Sequence, residues 1–452
     1  MANKRPRSIA ALLKILQPFE AFVRVEALGG TLLIIASVIA LIWANSEASA
    51  SYVALWERPF TLGLEGAALQ KPLILWINDL LMAVFFLLVG LEIKRELLVG
   101  ELNTAQKAIL PALAAVGGMV VPALIYYAVA HEGPAASGWG VPMATDIAFA
   151  IGVMRLLGNR VPNSLVVFLT ALAIIDDLGA ILVIAIFYSG ALKTTALLWA
   201  AVFIAVLVVM NRFGIRRPAL YLFAGIPLWV AILKSGIHAT IAGVIVGFCV
   251  PATSQFSLAS ILADAKQLLG VASNKTAPKE TVEASLRALE KRFDDAESPL
   301  SNLEHALHPY VAYAIVPIFA LANAGVVLLG ASPALLLEPV SLGVILGLTL
   351  GKPIGVVGIS VLTVKMGWAK LPAGVTMRHL VGAGLLAGIG FTMSLFVAGL
   401  GFEVGSIYHT EAKVGILAAS VIAGLAGLLV LRSAKPVVAA ETSAPASLQT
   451  SP

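Results

Sequence analysis

Charge is what this sequence has least of. Only 12% of its 452 residues are Asp, Glu, Lys or Arg, against about 25% in an ordinary soluble domain. Apolar residues make up 59% of the chain, and the mean hydropathy is +0.95. No water-soluble fold can hide that much apolar surface, so lipid is the expected solvent. Cysteine is nearly missing: Cys249 stands alone in an apolar run, which excludes an intrachain disulfide. No His/Cys cluster points to a transition metal. The basic segment before the first apolar run, interrupted at Pro18, lacks a long apolar stretch followed by a small-residue cleavage site. It reads as a retained cytoplasmic segment, residues 1–26, rather than a signal peptide. Ile9–Phe22 within it has the pattern of a short amphipathic helix on the membrane surface.

Long apolar runs are what the sequence has in place of charge. A spanning helix takes about 20 mostly apolar residues, and twelve such runs follow one another. They are Ala27–Ala44, Leu73–Leu91, Ile109–Ala130, Val141–Leu157, Ser164–Tyr188, Thr195–Met210, Ala219–Leu233, Ile237–Val250, Pro309–Val327, Val340–Val361, Leu380–Leu400 and Val414–Leu431. With the N-terminus in the cytoplasm, 24 of the 30 Lys and Arg fall on the inside, five on the outside, and Lys352 alone lies deep within a run. That asymmetry obeys the positive-inside rule and places both termini in the cytoplasm. The net charge of +5 is therefore topological and gives no support to nucleic-acid binding. The expected fold is all-α and membrane-integral, with twelve transmembrane helices over residues 27–431. A tail rich in Ala, Ser and Pro, 432–452, reads as disordered and cytoplasmic. Residues 46–70 form an outside loop in which Tyr52–Leu62 alternates well enough for a β-hairpin. Residues 251–302 form an inside loop with a candidate solvated helix at Lys279–Asp294, where Glu283 and Arg287 stand at i,i+4.

An ionisable group inside a span costs about 2.5–3.5 kcal/mol on insertion scales, so each one is a candidate for function. Asp176 and Asp177 lie together in the middle of the fifth run. Two adjacent carboxylates in lipid cannot both stay ionised without a counter-charge. One must hold a proton, a metal ion or a basic partner, and the two titrate as a coupled group. Successive helix residues point about 100° apart, so one carboxylate can face a neighbouring helix while the other faces a cavity. Lys352, in Gly351-Lys-Pro-Ile-Gly, is the natural partner of one of them.

Asp146 is the third intramembrane acid. Gly140 and Pro142 interrupt the fourth run just before it, and Gly384, Gly388 and Gly390 interrupt the eleventh. A broken span exposes a helix N-terminus with positive partial charge, which an acid compensates. Interrupted segments in opposite halves of a chain point to a transport site made of discontinuous helices. Thr145 and Thr392 sit at these interruptions and offer neutral oxygen, which with carboxylate suits a hard cation. Asp79, at the outer end of the second run, can snorkel to water, and His238 reads as a packing residue. Two mixed clusters, Glu92/Arg95/Glu96 and Glu304/His305/His308, flank spans on the inside. They are either solvated flanks or a proton-sensing mouth.

Five segments together carry a resemblance. They are Asn78–Leu97 with its Asn-Asp start and Glu-Ile-Lys-Arg-Glu end, Ala144-Thr-Asp-Ile-Ala-Phe-Ala, Ala173-Ile-Ile-Asp-Asp-Leu-Gly-Ala-Ile, Gly351-Lys-Pro-Ile-Gly and Gly388-Ile-Gly-Phe-Thr-Met-Ser. In this order they resemble the NhaA family of sodium/proton antiporters over about Ala27 to Leu431. Inverted repeats with broken helices are a known arrangement of that family. The resemblance implies two inverted-topology repeats, with spans four and eleven broken and crossing near the midplane. It implies that Asp177 binds sodium or lithium, with Asp176 close by and paired to Lys352 in the ion-free state. Asp146 and Lys352 would offset half-helix dipoles, and the two inside clusters would form a pH-responsive mouth. The activity implied is electrogenic exchange of sodium for protons, rising at alkaline pH, in the inner membrane. The outside hairpin would mediate a homodimer, and no cofactor is expected. Against the shortest family members stand the 251–302 loop, the N-terminal extension and the tail, and the first of these lies next to the pH-sensing region and bears on the pH range, not on the transport chemistry. Two other classes fit less well. An intramembrane aspartyl protease needs its aspartates on separate helices, one of them in a Gly-x-Gly-Asp setting, and this pair is adjacent. A passive cation channel would pass ions without moving protons.

Overall fold

The computed structural model describes residues 18–63, 68–253, 298–327 and 332–434, together with Lys266, Pro278, Glu280 and Ala284. The candidate helix Lys279–Asp294 falls almost wholly outside the described residues, as do Ile9–Gln17 of the amphipathic segment and the tail beyond Ala434. Among the described residues the chain is a bundle of helices with one two-stranded sheet. This follows from the composition, because in lipid a helix satisfies every backbone polar group within its own segment.

Among the described residues eight helices are long and apolar enough to cross a membrane. In chain order the bundle begins with α1 (Pro18–Ala44) and α2 (Ser49–Glu57), then the hairpin β1 (Pro59–Leu62) and β2 (Leu69–Pro72). Four spans carry the first half: α3 (Leu73–Leu98), α4 (Ala105–Val129), α6 (Asn163–Phe187) and α7 (Thr194–Arg212), with the short α5 (Ile147–Arg155) between the second and third. The remainder are α8 (Pro218–Ser235), α9 (Ile241–Cys249), α10 (Pro299–Asn323), α11 (Pro339–Lys365), α12 (Met377–Ala387), α13 (Phe391–Gly401) and α14 (Ile407–Arg432). Two bent pairs raise the number of candidate spans to ten: Leu28–Ala44 with α2, turning through 114°, and α12 with α13, turning through 41°.

The other two apolar runs are not single long helices. Run four is a 3-10 segment, Gly133–Met143, then an extended link through Asp146, then α5. Its upstream half starts earlier than the expected Val141. Run eight begins with a turn at Gly236, whose φ of 93° is left-handed, and yields only the nine residues of α9. The hairpin also lies elsewhere than expected. Tyr52–Leu62 is not a hairpin; Tyr52 and Trp56 are the buried face of α2, and the strands pair Pro59 with Pro72 through Leu62 with Leu69.

Small residues let the spans approach closely. Gly243 and Gly247 of α9 lie against the backbone of Ala83, Leu87 and Gly90 of α3. Gly117 of α4 meets Gly355 of α11, and a Cβ at Gly117 would stand 2.5 Å from the Gly355 carbonyl oxygen. Burial separates the centre from the rim: 61% of the apolar stretch of α6 is buried, against 11% in α7. The helix carrying the aspartate pair is therefore central, and α7 faces lipid.

Candidate functional site

The site is built where two broken helices cross. The link Ala144–Asp146 meets the break Gly388–Gly390: Asp146 N donates to the Ile389 carbonyl at 2.7 Å. Asp146 is the N-cap of α5, with Oδ1 accepting from the Phe149 amide at 3.0 Å. Its other oxygen accepts from the backbone amide and the hydroxyl of Thr392, at 3.1 and 2.6 Å, in the first turn of α13. One carboxylate thus satisfies two helix N-termini, each of which leaves amides without intrahelical partners and carries positive partial charge. Asp146 is 2% exposed.

On α6 the two aspartates diverge. Asp176 Oδ2 is ion-paired with Lys352 Nζ and lies 2.8 Å from the Thr145 hydroxyl. That hydroxyl is also 2.9 Å from the Ala387 carbonyl, and its single proton serves one acceptor at a time. Asp176 and Lys352 are both 0% exposed. Lys352 follows a π-turn at Gly347–Gly351 of α11, and its side chain runs past Gly118 of α4, where a Cβ would come within 3.8 Å of Nζ. Asp177, 1% exposed, faces the other way. Its Oδ1 is buried without a hydrogen-bond partner.

Asp177 lines a cavity of about 60 Å³ together with Thr145, Asp146, Thr392, Glu92 and His308. Holding one water takes on the order of 10–15 Å³ on this measure, so the cavity accommodates a few waters or a small, partly hydrated cation. The donor set is carboxylate and hydroxyl oxygen, suited to a hard monovalent or divalent ion rather than a soft one. Among the described residues no group of three or more His, Cys, Asp and Glu is arranged to hold a metal ion.

The two charged clusters meet in an ion pair. Arg95 Nη1 pairs with Glu304 Oε1 at 3.1 Å, and Nη2 with Glu96 Oε1 at 3.0 Å. Glu304 is 3% exposed, and its Oε2 is buried without a partner. Glu92 and His308 reach the cavity wall from α3 and α10; His305 is not among its lining residues. Asp79 pairs with Lys71 of the hairpin at 2.7 Å and lies 3.7 Å from His238, so it is held by partners rather than left to snorkel. His238 packs edge-on against Phe396, 5.3 Å between ring centres.

Some buried polar groups had no mark in the sequence. Asn323, ending α10, donates to Asn78 in a π-turn of α3 at 2.9 Å. Glu411 and His409 are buried in α14, which begins seven residues before the expected start of run twelve. The apolar stretch alone sets that run, and a helix continuing through polar residues has no signal in hydropathy.

A buried carboxylate pair, reached by a cavity between crossed half-helices in an apolar bundle, marks a multi-pass membrane transporter. Comparison with known proteins agrees. The family described as Na+/H+ antiporter 1 matches residues 20–431. The chain is 52% identical over 426 residues to a Na(+)/H(+) antiporter NhaA of Oleidesulfovibrio alaskensis, covering 93% of this chain and 94% of that one. It is 50% identical to the protein so named in Rhodospirillum rubrum, over 92% and 97% of the two chains. The corresponding figure for Aeromonas salmonicida is 47%, over 92% and 96%. The chain belongs to the NhaA family of sodium/proton antiporters, whose members are named as transporters.

Proposed function

We propose that the protein exchanges sodium or lithium for protons across the inner membrane, with Asp177 and Asp176 binding the two species in turn. The observation that carries this reading is the asymmetry of the pair. Each aspartate has one buried oxygen without a hydrogen-bond partner, but Asp177 lines the cavity while Asp176 is ion-paired with Lys352. A cation entering the cavity meets one free carboxylate with Thr145 and Thr392 hydroxyls at hand. A proton competes for the same oxygen. If only occupied states reorient, competition alone yields exchange.

In this reading Asp146 and Lys352 offset the half-helix dipoles, and Glu92, Arg95, Glu96, Glu304, His305 and His308 form the pH-responsive mouth. Transport is electrogenic, with more than one proton per sodium, and rises at alkaline pH. Two inverted repeats move against each other around the crossing. Both termini are cytoplasmic, and the β1–β2 hairpin joins two copies. Supporting these are the ion pair joining the inside clusters, the loop-charge asymmetry and the family membership.

The test is reconstitution in vesicles with a pH-sensitive dye, adding sodium against a pH gradient at ~6.5, near the ordinary histidine midpoint, and at ~8.5, well above it. Sodium should collapse the gradient at the higher pH, and Asp177→Asn should not respond while remaining folded. A variant that exchanges at the wild-type rate would remove Asp177 from the mechanism. Sodium entry without proton movement would make the protein a channel.

A further inference from the structure

Away from the ion site, α7 and α8 enclose a groove of about 470 Å³. Trp199 and Phe203 form one wall, stacked with ring centres 6.1 Å apart. Ile226 and Val230 line it from the other helix, and Ala196 also lines it. The groove is apolar along its length and ends at Lys234. The Lys193 amide donates to the Ser235 carbonyl at 2.8 Å, and the Gly190 amide to the Gly236 carbonyl at 2.8 Å. These bonds hold the start of α7 against the end of α8, so Lys193 and Lys234 stand at the same end, both exposed.

We propose that this groove is a binding site for one anionic phospholipid, its acyl chain along Trp199 and Phe203 and its phosphate between Lys193 and Lys234. The sequence supplies the charge complementarity. Neither helix contains an acidic residue, nor does the loop joining α6 to α7 or the turn after α8. Two cations therefore stand at one end of the groove, and among the described residues neither is ion-paired with a carboxylate. A zwitterionic lipid brings its own ammonium to that place; an anionic one brings net negative charge, which lysines near a membrane surface attract. A second copy of the chain is a poorer occupant. A two-fold interface here would juxtapose the same acid-free face with itself and bury like charges.

The test is native mass spectrometry of the full protein in detergent, with phosphatidylglycerol and phosphatidylcholine of identical chains as competing probes. The wild type should retain phosphatidylglycerol in preference, on the order of fivefold for each lysine. Lys193→Gln/Lys234→Gln should bind both lipids equally, and Ala196→Trp, which fills the groove, should lose both. The two lysines are exposed, so the double variant tests the site without disturbing the bundle; an unchanged melting temperature checks this. Retention of the preference by the double variant overturns the proposal. So does self-cross-linking of Trp199→Cys in membranes, which would put a second copy on this face.

Discussion

Asp176 and Asp177 are consecutive on α6, yet Asp176 is closed against Lys352 while Asp177 opens on the cavity. The first is part of the bundle's internal electrostatics, and the second is available to a ligand. Substitutions at the two positions should therefore fail in different ways.

Lys352→Gln removes the cation from a fully buried carboxylate. Breaking a buried pair from one side costs about 3–5 kcal/mol, whereas replacing both partners is close to neutral. The melting temperature in detergent should drop for Lys352→Gln and recover in most part for Asp176→Asn/Lys352→Gln. A double variant no more stable than the single one would mean that the ion pair is not what the bundle requires there.

Asp146 caps two half-helices, and a lost cap costs about 0.5–2 kcal/mol. Asp146→Ala should lose both contributions. Asp146→Asn keeps one acceptor oxygen and should fall between Asp146→Ala and the wild type. Thr392→Val removes the 2.6 Å hydroxyl bond but not the amide bond, and should cost less than Asp146→Ala. Thermal unfolding of the three variants gives the order directly.

Two glycines of adjoining spans should respond oppositely to alanine. At Gly117 a Cβ meets the Gly355 backbone. The overpacking should cost about 1–3 kcal/mol and disturb the α4–α11 contact beside Lys352. At Gly358 a Cβ meets nothing within 4 Å, so Gly358→Ala should stabilise α11 by roughly 0.5–1 kcal/mol through helix propensity. Equal effects at both positions would contradict the close approach of α4 and α11.

Competition for one carboxylate fixes the sign of the pH dependence. A proton bound in place of sodium weakens apparent sodium binding as pH falls. Each displaced proton contributes up to about tenfold per pH unit. The sodium concentration for half-maximal exchange should therefore decrease from pH ~6.5 to ~8.5. An apparent affinity independent of pH would separate the proton site from the sodium site.

The sequence located the buried charges better than it located the backbone breaks. Asp146, Asp176, Asp177 and Lys352 stood out because charge in an apolar run is costly, and all four lie at or beside the crossing. The break in run eleven followed its glycines. The break in run four came a few residues after Gly140 and Pro142, because the preceding stretch is a 3-10 helix rather than part of a long span. The hairpin was misplaced for a reason of period. Tyr52 and Trp56 are four residues apart and share a helix face, which a short alternating pattern imitates; Pro59 then starts the strand. The π-turns at Ile77–Leu81, Val311–Ile315 and Gly347–Gly351 have no signature in hydropathy, yet one immediately precedes Lys352. The Arg95–Glu304 pair joins residues more than two hundred positions apart, and each cluster alone resembles an ordinary solvated flank.

That Asp146 is completed by Thr392, 246 residues further along the chain, bears on how the protein is made. At synthesis rates of about 5–20 residues per second, the second broken helix follows the first by roughly 10–50 s. During that interval the Ala144–Asp146 link has neither the Thr392 hydroxyl nor the Ile389 carbonyl to bond with. Exposed to lipid, such groups would cost several kcal/mol each. The first half of the chain must therefore wait in the insertion machinery, or shelter its link against its own helices, until the second half arrives to close the crossing.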